Sequence, residues 1–358
     1  MDKYIGMDID SKKVAVCVID SDGQEEYTTL PATMEAVYAF LQRQGTDGSR
    51  VHLTYEISGQ AGWWHDNLSP LVEKVCVCNP SKMTWIYRTA KKNDHIDARK
   101  MAVLLRIGEL PTVHMPDAAI RQWRQMILYR QELLRKQTRV KNQLIALLKS
   151  QGLCHPTHQG SWWKRANREW MLSLASTASK PDSGLWRLTL RGLLEELSLL
   201  ENQIKQITAC LDERLSHCPE AALLQSIPGV GLRTTEAVLA YTDDIHRFPN
   251  SKHYGSYFGL TPKLDESGSC RRLGHISKHG PSVARWLLVE SAWHAIRYSP
   301  SLRRFYERVM GGQRQRRNIA IVAVARKIAE IIRAILLSGQ RFDELLVERQ
   351  LQGCSVGG

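Results

Sequence analysis

The sequence predicts an α/β region followed by a helical one, and three observations carry that division. Over the first hundred residues, short apolar runs of strand length alternate with stretches of helical spacing. Beyond about Pro116, apolar residues instead recur in steps of three and four over long stretches. Charge is segregated in the same way. Residues 1–60 hold 5 Lys/Arg against 10 Asp/Glu, whereas residues 121–149 hold 8 basic residues against Glu132 alone, and residues 263–338 hold 15 against 5.

The 358 residues suit two or three domains, and a net charge of +13 favours a polyanionic partner. A hairpin is predicted from Lys3 to Asp20, and Ser21-Asp22-Gly23 turns it into a third strand near Glu25–Leu30. Pro31 and Thr33 open a helix with Met34, Val37, Tyr38 and Leu41 on one face. Strand Val51–Glu56 follows, then a helix around Trp63–Lys74, then strand Val75–Cys78, stopped by Asn79-Pro80. Three antiparallel strands, helix, strand, helix, strand is the ribonuclease-H order. It puts Asp8 on a central strand.

Four acids stand out in that frame. Asp8 lies in Tyr4-Ile5-Gly6-Met7-Asp8-Ile9-Asp10, and Glu56 ends Val51-His52-Leu53-Thr54-Tyr55-Glu56. Asp94 and Asp97 share one face of a helix that Asn93 can cap. Carboxylates converging from strand ends and a helix repel one another unless they share a cation, and oxygen-only ligands suit Mg²⁺ or Mn²⁺. Paired metals of this type serve phosphodiester displacement. The plain alternative for Asp94 and Asp97 is complementing a helix dipole. Asp10 reads as a peripheral acid, Arg99 and Lys100 as phosphate contacts or local charge balance, and Trp63 and Trp64 as packing rather than base stacking.

Trp123, Met126, Leu133, Val140, Leu144 and Leu147 outline one helical seam, with Arg130 and Gln137 at its skipped positions. Leu190, Leu193, Leu197, Leu200, Ile204, Ile207 and Leu211 outline a second. Together they predict a coiled-coil hairpin, formed internally or across a dimer, with residues 150–183 as linker or tip. Ser226-Ile227-Pro228-Gly229-Val230-Gly231 before an apolar helix reads as a helix-hairpin-helix, with Gly229 and Gly231 letting backbone N–H groups approach a phosphate. Lys263, Arg271, Arg272 and Lys278 surround a Gly/Ser-rich loop that reads as a phosphate contact or as the carrier of a hydroxyl nucleophile. Apolar helices follow around Val283–Ile296 and Ile319–Leu337, separated by basic Arg303–Arg317. The expected domains are 1–112, 113–218 and 219–345, with a flexible tail at 346–358.

Eight cysteines form no CxxC pair, and Cys154, His155 and His158 lack partners for a zinc site. No signal peptide or membrane-length apolar run is evident, so a cytoplasmic setting is expected.

Six stretches in order resemble one family: Ile5-Gly6-Met7-Asp8, Tyr55-Glu56-Ile57-Ser58-Gly59, Asn93-Asp94-His95-Ile96-Asp97-Ala98-Arg99, Ser226 to Gly231, Phe258-Gly259-Leu260-Thr261-Pro262 and Glu266-Ser267-Gly268-Ser269. From Tyr4 to about Phe342 the chain resembles the DEDD-type transposases of the insertion-sequence 110 class, which includes Piv-type DNA invertases and bridge-RNA-guided recombinases. The resemblance implies a RuvC-like domain, a coiled-coil connector and a C-terminal transposase domain. It implies that Asp8, Glu56, Asp94 and Asp97 bind Mg²⁺ and that Ser267 attacks DNA to form a phosphoserine link, with Ser269 two positions away. It further implies double-stranded DNA (element ends and target) as substrate, a structured guide RNA as partner, and a homodimer or homotetramer combining acids and serine from different protomers. A nucleoid-associated location in a prokaryote follows. Three other readings compete: a RuvC-type junction nuclease using water, an actin-like ATPase suggested by Gly6 to Asp10 followed by Lys12-Lys13, and a non-catalytic nucleic-acid-binding protein.

Overall fold

The computed structural model describes residues 1–79, 82, 93–154, 161–176, 184–267, 270–345 and 348. Ser269, His155, His158 and nearly all of the expected tail lie outside the described residues. The chain divides into two compact units, Met1–Arg121 and Gln122–Gly358.

The first unit is built on a mixed sheet. Strands β1 (Asp2–Ile9), β2 (Lys13–Asp20) and β3 (Glu25–Pro31) are followed by α1 (Met34–Gly45), β4 (Arg50–Glu56), α2 (Ala61–Leu68), β5 (Lys74–Cys78), α3 (Asp94–Arg106) and β6 (Thr112–Val113). The spatial order is β3-β2-β1-β4-β5-β6. β1 runs antiparallel to β2 and parallel to β4, β5 is parallel to β4, and β6 closes the edge antiparallel to β5. The element order expected from the sequence is therefore present, with β6 added. The helix expected over Trp63–Lys74 stops at Leu68 and passes into a short 3₁₀ turn, Ser69–Leu71. Pro70 lacks the N–H that another α-turn needs.

Alternation along the strands sorts side chains between two cores. Ile5, Met7, Val14, Val16, Val18, Leu53, Tyr55 and Val77 pack with Val37, Phe40, Leu41, Trp64 and Leu68 of α1 and α2. On the opposite face, Cys17 and Ile19 meet Ala98 and Ala102 of α3, while Cys76 and Cys78 meet Met101 and Leu104. The two cysteines thus share one buried face, as their spacing predicts. Gly6 sets the depth of α3. A Cβ there would overlap the Ala98 carbonyl oxygen and stand 2.8 Å from the Ala102 nitrogen.

The second unit is mainly helical. α4 (Ala118–Ser150), which starts within the first unit, and α6 (Leu185–Ser216) are long, with α5 (Arg165–Ser176) between them in sequence. Leu133, Val140, Leu144 and Leu148 pack with Met171, Ala175, Leu190, Leu197 and Leu200. The pairing is internal and antiparallel: Arg130 Nε donates to Thr208 Oγ1 at 2.9 Å and Gln137 Nε2 to Glu201 Oε1 at 3.4 Å. Ile127 and Leu148 are the buried positions where the sequence seam named Met126 and Leu147. A straight helix drifts from a seven-residue repeat.

Beyond α6 come α7 (Glu220–Leu224), α8 (Leu232–Thr242), α9 (Ser251–Tyr257), the hairpin β7 (Pro262–Ser267) and β8 (Cys270–Ile276), α10 (Ser282–Tyr298), α11 (Pro300–Met310) and α12 (Arg317–Ser338). Val238, Tyr254, Phe258, Leu288, Val324, Ile328 and Ile332 form their shared core. The basic segment after Arg303 is largely helical: Ser299 caps α11 through Leu302 N and Pro300 opens it. Among the described residues, no helix is long and apolar enough to cross a membrane.

Candidate metal centre

Asp8, Glu56, Asp94 and Asp97 all belong to the first unit, and three elements bring them to one face of its sheet. Met7 pairs with Tyr55 between β1 and β4, so Asp8 and Glu56 follow on neighbouring strands. Because Met7 and Tyr55 turn toward α1 and α2, Asp8 and Glu56 turn toward α3. Burial pushes the Cys78 thiol up to about 12, and the charges of Glu56 and then Asp8 add to the shift. The two carboxylates therefore share the neighbourhood of one buried sulfur. Asp94 and Asp97 occupy the first turn of α3, where the Asn93 side chain accepts from His95 N at 3.1 Å. Asn93 performs the capping, so neither aspartate is needed for it.

Each aspartate of α3 faces an ammonium. Lys13 Nζ lies 2.7 Å from Asp94 Oδ2, and Lys100 Nζ lies 3.4 Å from Asp97 Oδ1. The hydrogen bond to Asp94, then the charges of Asp94, Asp10 and Asp8, hold the Lys13 ammonium above its ordinary value. Arg99 is engaged elsewhere, as both Nε and Nη2 donate to the Glu25 carboxylate at 2.7–2.9 Å. That guanidinium, with the Tyr27 hydroxyl, lowers Glu25 to about 2. Thr29 Oγ1 meets His95 Nε2 at 3.2 Å and Arg106 Nη2 donates to the Ser21 carbonyl at 2.9 Å, so α3 is tied along its length to the β2–β3 hairpin. Of the two readings of Arg99, phosphate contact or local charge balance, the pairing with Glu25 fits the second.

The donor chemistry is oxygen-only and hard, which fits Mg²⁺ or Mn²⁺. The chelate itself is not drawn together: among the described residues, no three His, Cys, Asp or Glu side chains are grouped closely enough to hold one cation. Lys13 went unrecognised in the sequence as a neighbour of the acids. The available signal was hairpin register, since Asp8 pairs with Ala15 and Lys13 is the next residue of β2 on that face.

The remaining site candidates belong to the second unit. Ser267 ends β7, paired in register with Cys270, and Arg271 and Arg272 follow on β8. Lys263 and Lys278 are exposed, and Lys278 adopts φ 55°, a conformation uncommon for a non-glycine residue. Gly229 has φ 83°, and a Cβ there would come within 2.5 Å of Ala295 N and Ser291 O of α10. Its bareness thus serves close packing against that helix. Gly231 differs: it is the N-cap of α8, no side chain caps that end, and a Cβ on it would meet nothing within 4 Å.

Comparison with known proteins matches two separate segments of the chain. Residues 5–152 match the DEDD-type IS110 transposase family, and residues 221–307 match the Transposase IS116/IS110/IS902 family. The transposase for insertion sequence element IS1111A of Coxiella burnetii is 28% identical over 93% of this chain and 89% of its own length. A probable family 20 transposase of Pseudomonas aeruginosa is 27% identical over 78% of this chain and 82% of its own length. The pilin gene-inverting protein of Moraxella bovis is 25% identical over 96% of this chain and 99% of its own. With both transposase domains matched in order and the acids carried by the first, the chain belongs to the IS110/IS116 family of transposases.

Proposed function

We propose that the chain is a divalent-metal-dependent transposase and recombinase of an insertion sequence, with Ser267 as its nucleophile. The observation that carries the reading is the delivery of Asp8, Glu56, Asp94 and Asp97 by β1, β4 and α3 to one sheet face, inside the segment that matches the DEDD family. These carboxylates would hold Mg²⁺ or Mn²⁺. The bound cations supply charge that acidifies a hydroxyl and stabilises the leaving oxygen of a phosphodiester.

Ser267 Oγ loses its proton and forms an O–P bond, while the bond from phosphorus to one strand oxygen breaks and that oxygen takes up a proton. The phosphoserine link conserves the phosphodiester, so a new strand end can reverse the step and rejoin. In this reading the first unit is RuvC-like, α4 and α6 form a coiled-coil connector, and α7–α8 is a helix-hairpin-helix whose Gly231 end approaches phosphate. Lys263, Arg271, Arg272 and Lys278 contact double-stranded DNA around the serine. An element-encoded bridge RNA guides target choice, and a homodimer or homotetramer joins acids and serine from different protomers.

The test is a denaturing gel of the full chain with DNA bearing the ends of its element. Wild type should yield protein-linked DNA, and Ser267→Ala should yield none while still binding DNA. An undiminished adduct in Ser267→Ala rejects that serine, and cleavage without any adduct in wild type selects the water-using nuclease.

A further inference from the structure

We propose that Lys13 belongs to the same site and exchanges partners there: it holds Asp94 before metal binds, then moves to a non-bridging oxygen of the DNA phosphate. The inference rests on the reading of the four acids as a metal site. Its starting point is topological. Lys13 opens β2, its carbonyl accepts from Asp10 N at 3.0 Å, and its backbone pairs with Pro31 of β3. Its root is thereby fixed at both edges. Cys17 and Ile19 of β2 face α3, so the alternation that aims them there aims Lys13 the same way. Asp8 stands on the adjacent strand opposite Ala15, and Asp94 reaches the lysine from the first turn of α3 at 2.7 Å.

The pair is built to be exchangeable. The Lys13 side chain is 53% exposed and that of Asp94 is 41%, so solvent screens their attraction and the ion pair is weak. Lys100 and Asp97 differ: both are 14% exposed and sit three apart on one helix, so that pair is held by α3 itself. Lys13 instead comes from another strand on a flexible four-carbon stem. Once the Asp94 carboxylate turns to a divalent cation, the ammonium loses its partner and remains beside the site. A compact, strongly hydrated cation there suits a phosphate oxygen.

The exchange predicts opposite effects on two readouts. Mn²⁺ binding to the full chain without DNA is measured by isothermal titration calorimetry, and DNA cleavage by single-turnover kinetics at saturating Mn²⁺. Removing the competitor in Lys13→Ala should tighten Mn²⁺ binding by roughly threefold or more. Removing a charge from the phosphate should slow cleavage by roughly tenfold or more. Lys13→Arg should return both values toward wild type. A solvated surface lysine would move neither, so unchanged Mn²⁺ affinity or an unchanged cleavage rate in Lys13→Ala overturns the proposal. Asp8→Asn separates the two levels. If it binds Mn²⁺ as wild type does, the metal-site reading falls and takes this inference with it. If Asp8→Asn loses binding while Lys13→Ala matches wild type, only the role of Lys13 falls.

Discussion

Gly6 carries no side chain because the backbone of α3 occupies the space one would need. Asp8 lies two residues along β1 from that contact, and Asp97 directly precedes Ala98 on α3. Gly6→Ala forces the sheet and helix apart, and overpacking of this kind costs ~1–3 kcal/mol. The variant should therefore show a lower unfolding midpoint in urea together with weaker Mn²⁺ binding. An unchanged midpoint and unchanged binding would show that α3 is placed by other contacts. At this scale the sequence was legible where chemistry and position coincide. Asp8 and Glu56 end apolar strands, and Asp94 and Asp97 follow a capping Asn93. It was opaque where register decides. Nothing in Lys12-Lys13 says which lysine faces Asp8, and nothing near Arg99 announces Glu25, 74 residues earlier.

Among elements, the antiparallel pair α4 and α6 is held by an apolar seam with polar links at Arg130–Thr208 and Gln137–Glu201. Leu144 is fully buried at its centre. Leu144→Ala removes that side chain and leaves a cavity, costing ~2–5 kcal/mol. Thermal unfolding should show a lowered transition for the second unit, with Mn²⁺ binding by the first unit retained. Loss of both together would mean that the units unfold as one. The leucine spacing disclosed this hairpin, although its ends follow helical drift rather than the heptad, so Ile127 and Leu148 take the buried places. α11 was hidden by its basic composition. Its signal lay in Ser299-Pro300, a cap followed by a first-turn proline.

For the whole molecule, the segregation of charge and the division into units tell one story. The acidic N-terminal segment carries two of the four carboxylates and its unit all four, and the basic segments flank or follow Ser267 in a chain of net charge +13. In the proposed reading the four carboxylates would hold divalent cations, while the basic segments suit a polyanion. Pattern alone reached this far because hydrophobic periodicity specifies elements and composition specifies the partner class. It did not reach the ammonium pairs, which arise only when strands adopt their register. The most direct test is anomalous diffraction from crystals of the full chain grown with Mn²⁺. The account predicts an anomalous peak ligated by Asp8, Glu56 and the aspartates of α3, with the Lys13 ammonium withdrawn from Asp94. Manganese bound elsewhere, or no peak among these carboxylates at saturating Mn²⁺, would contradict it.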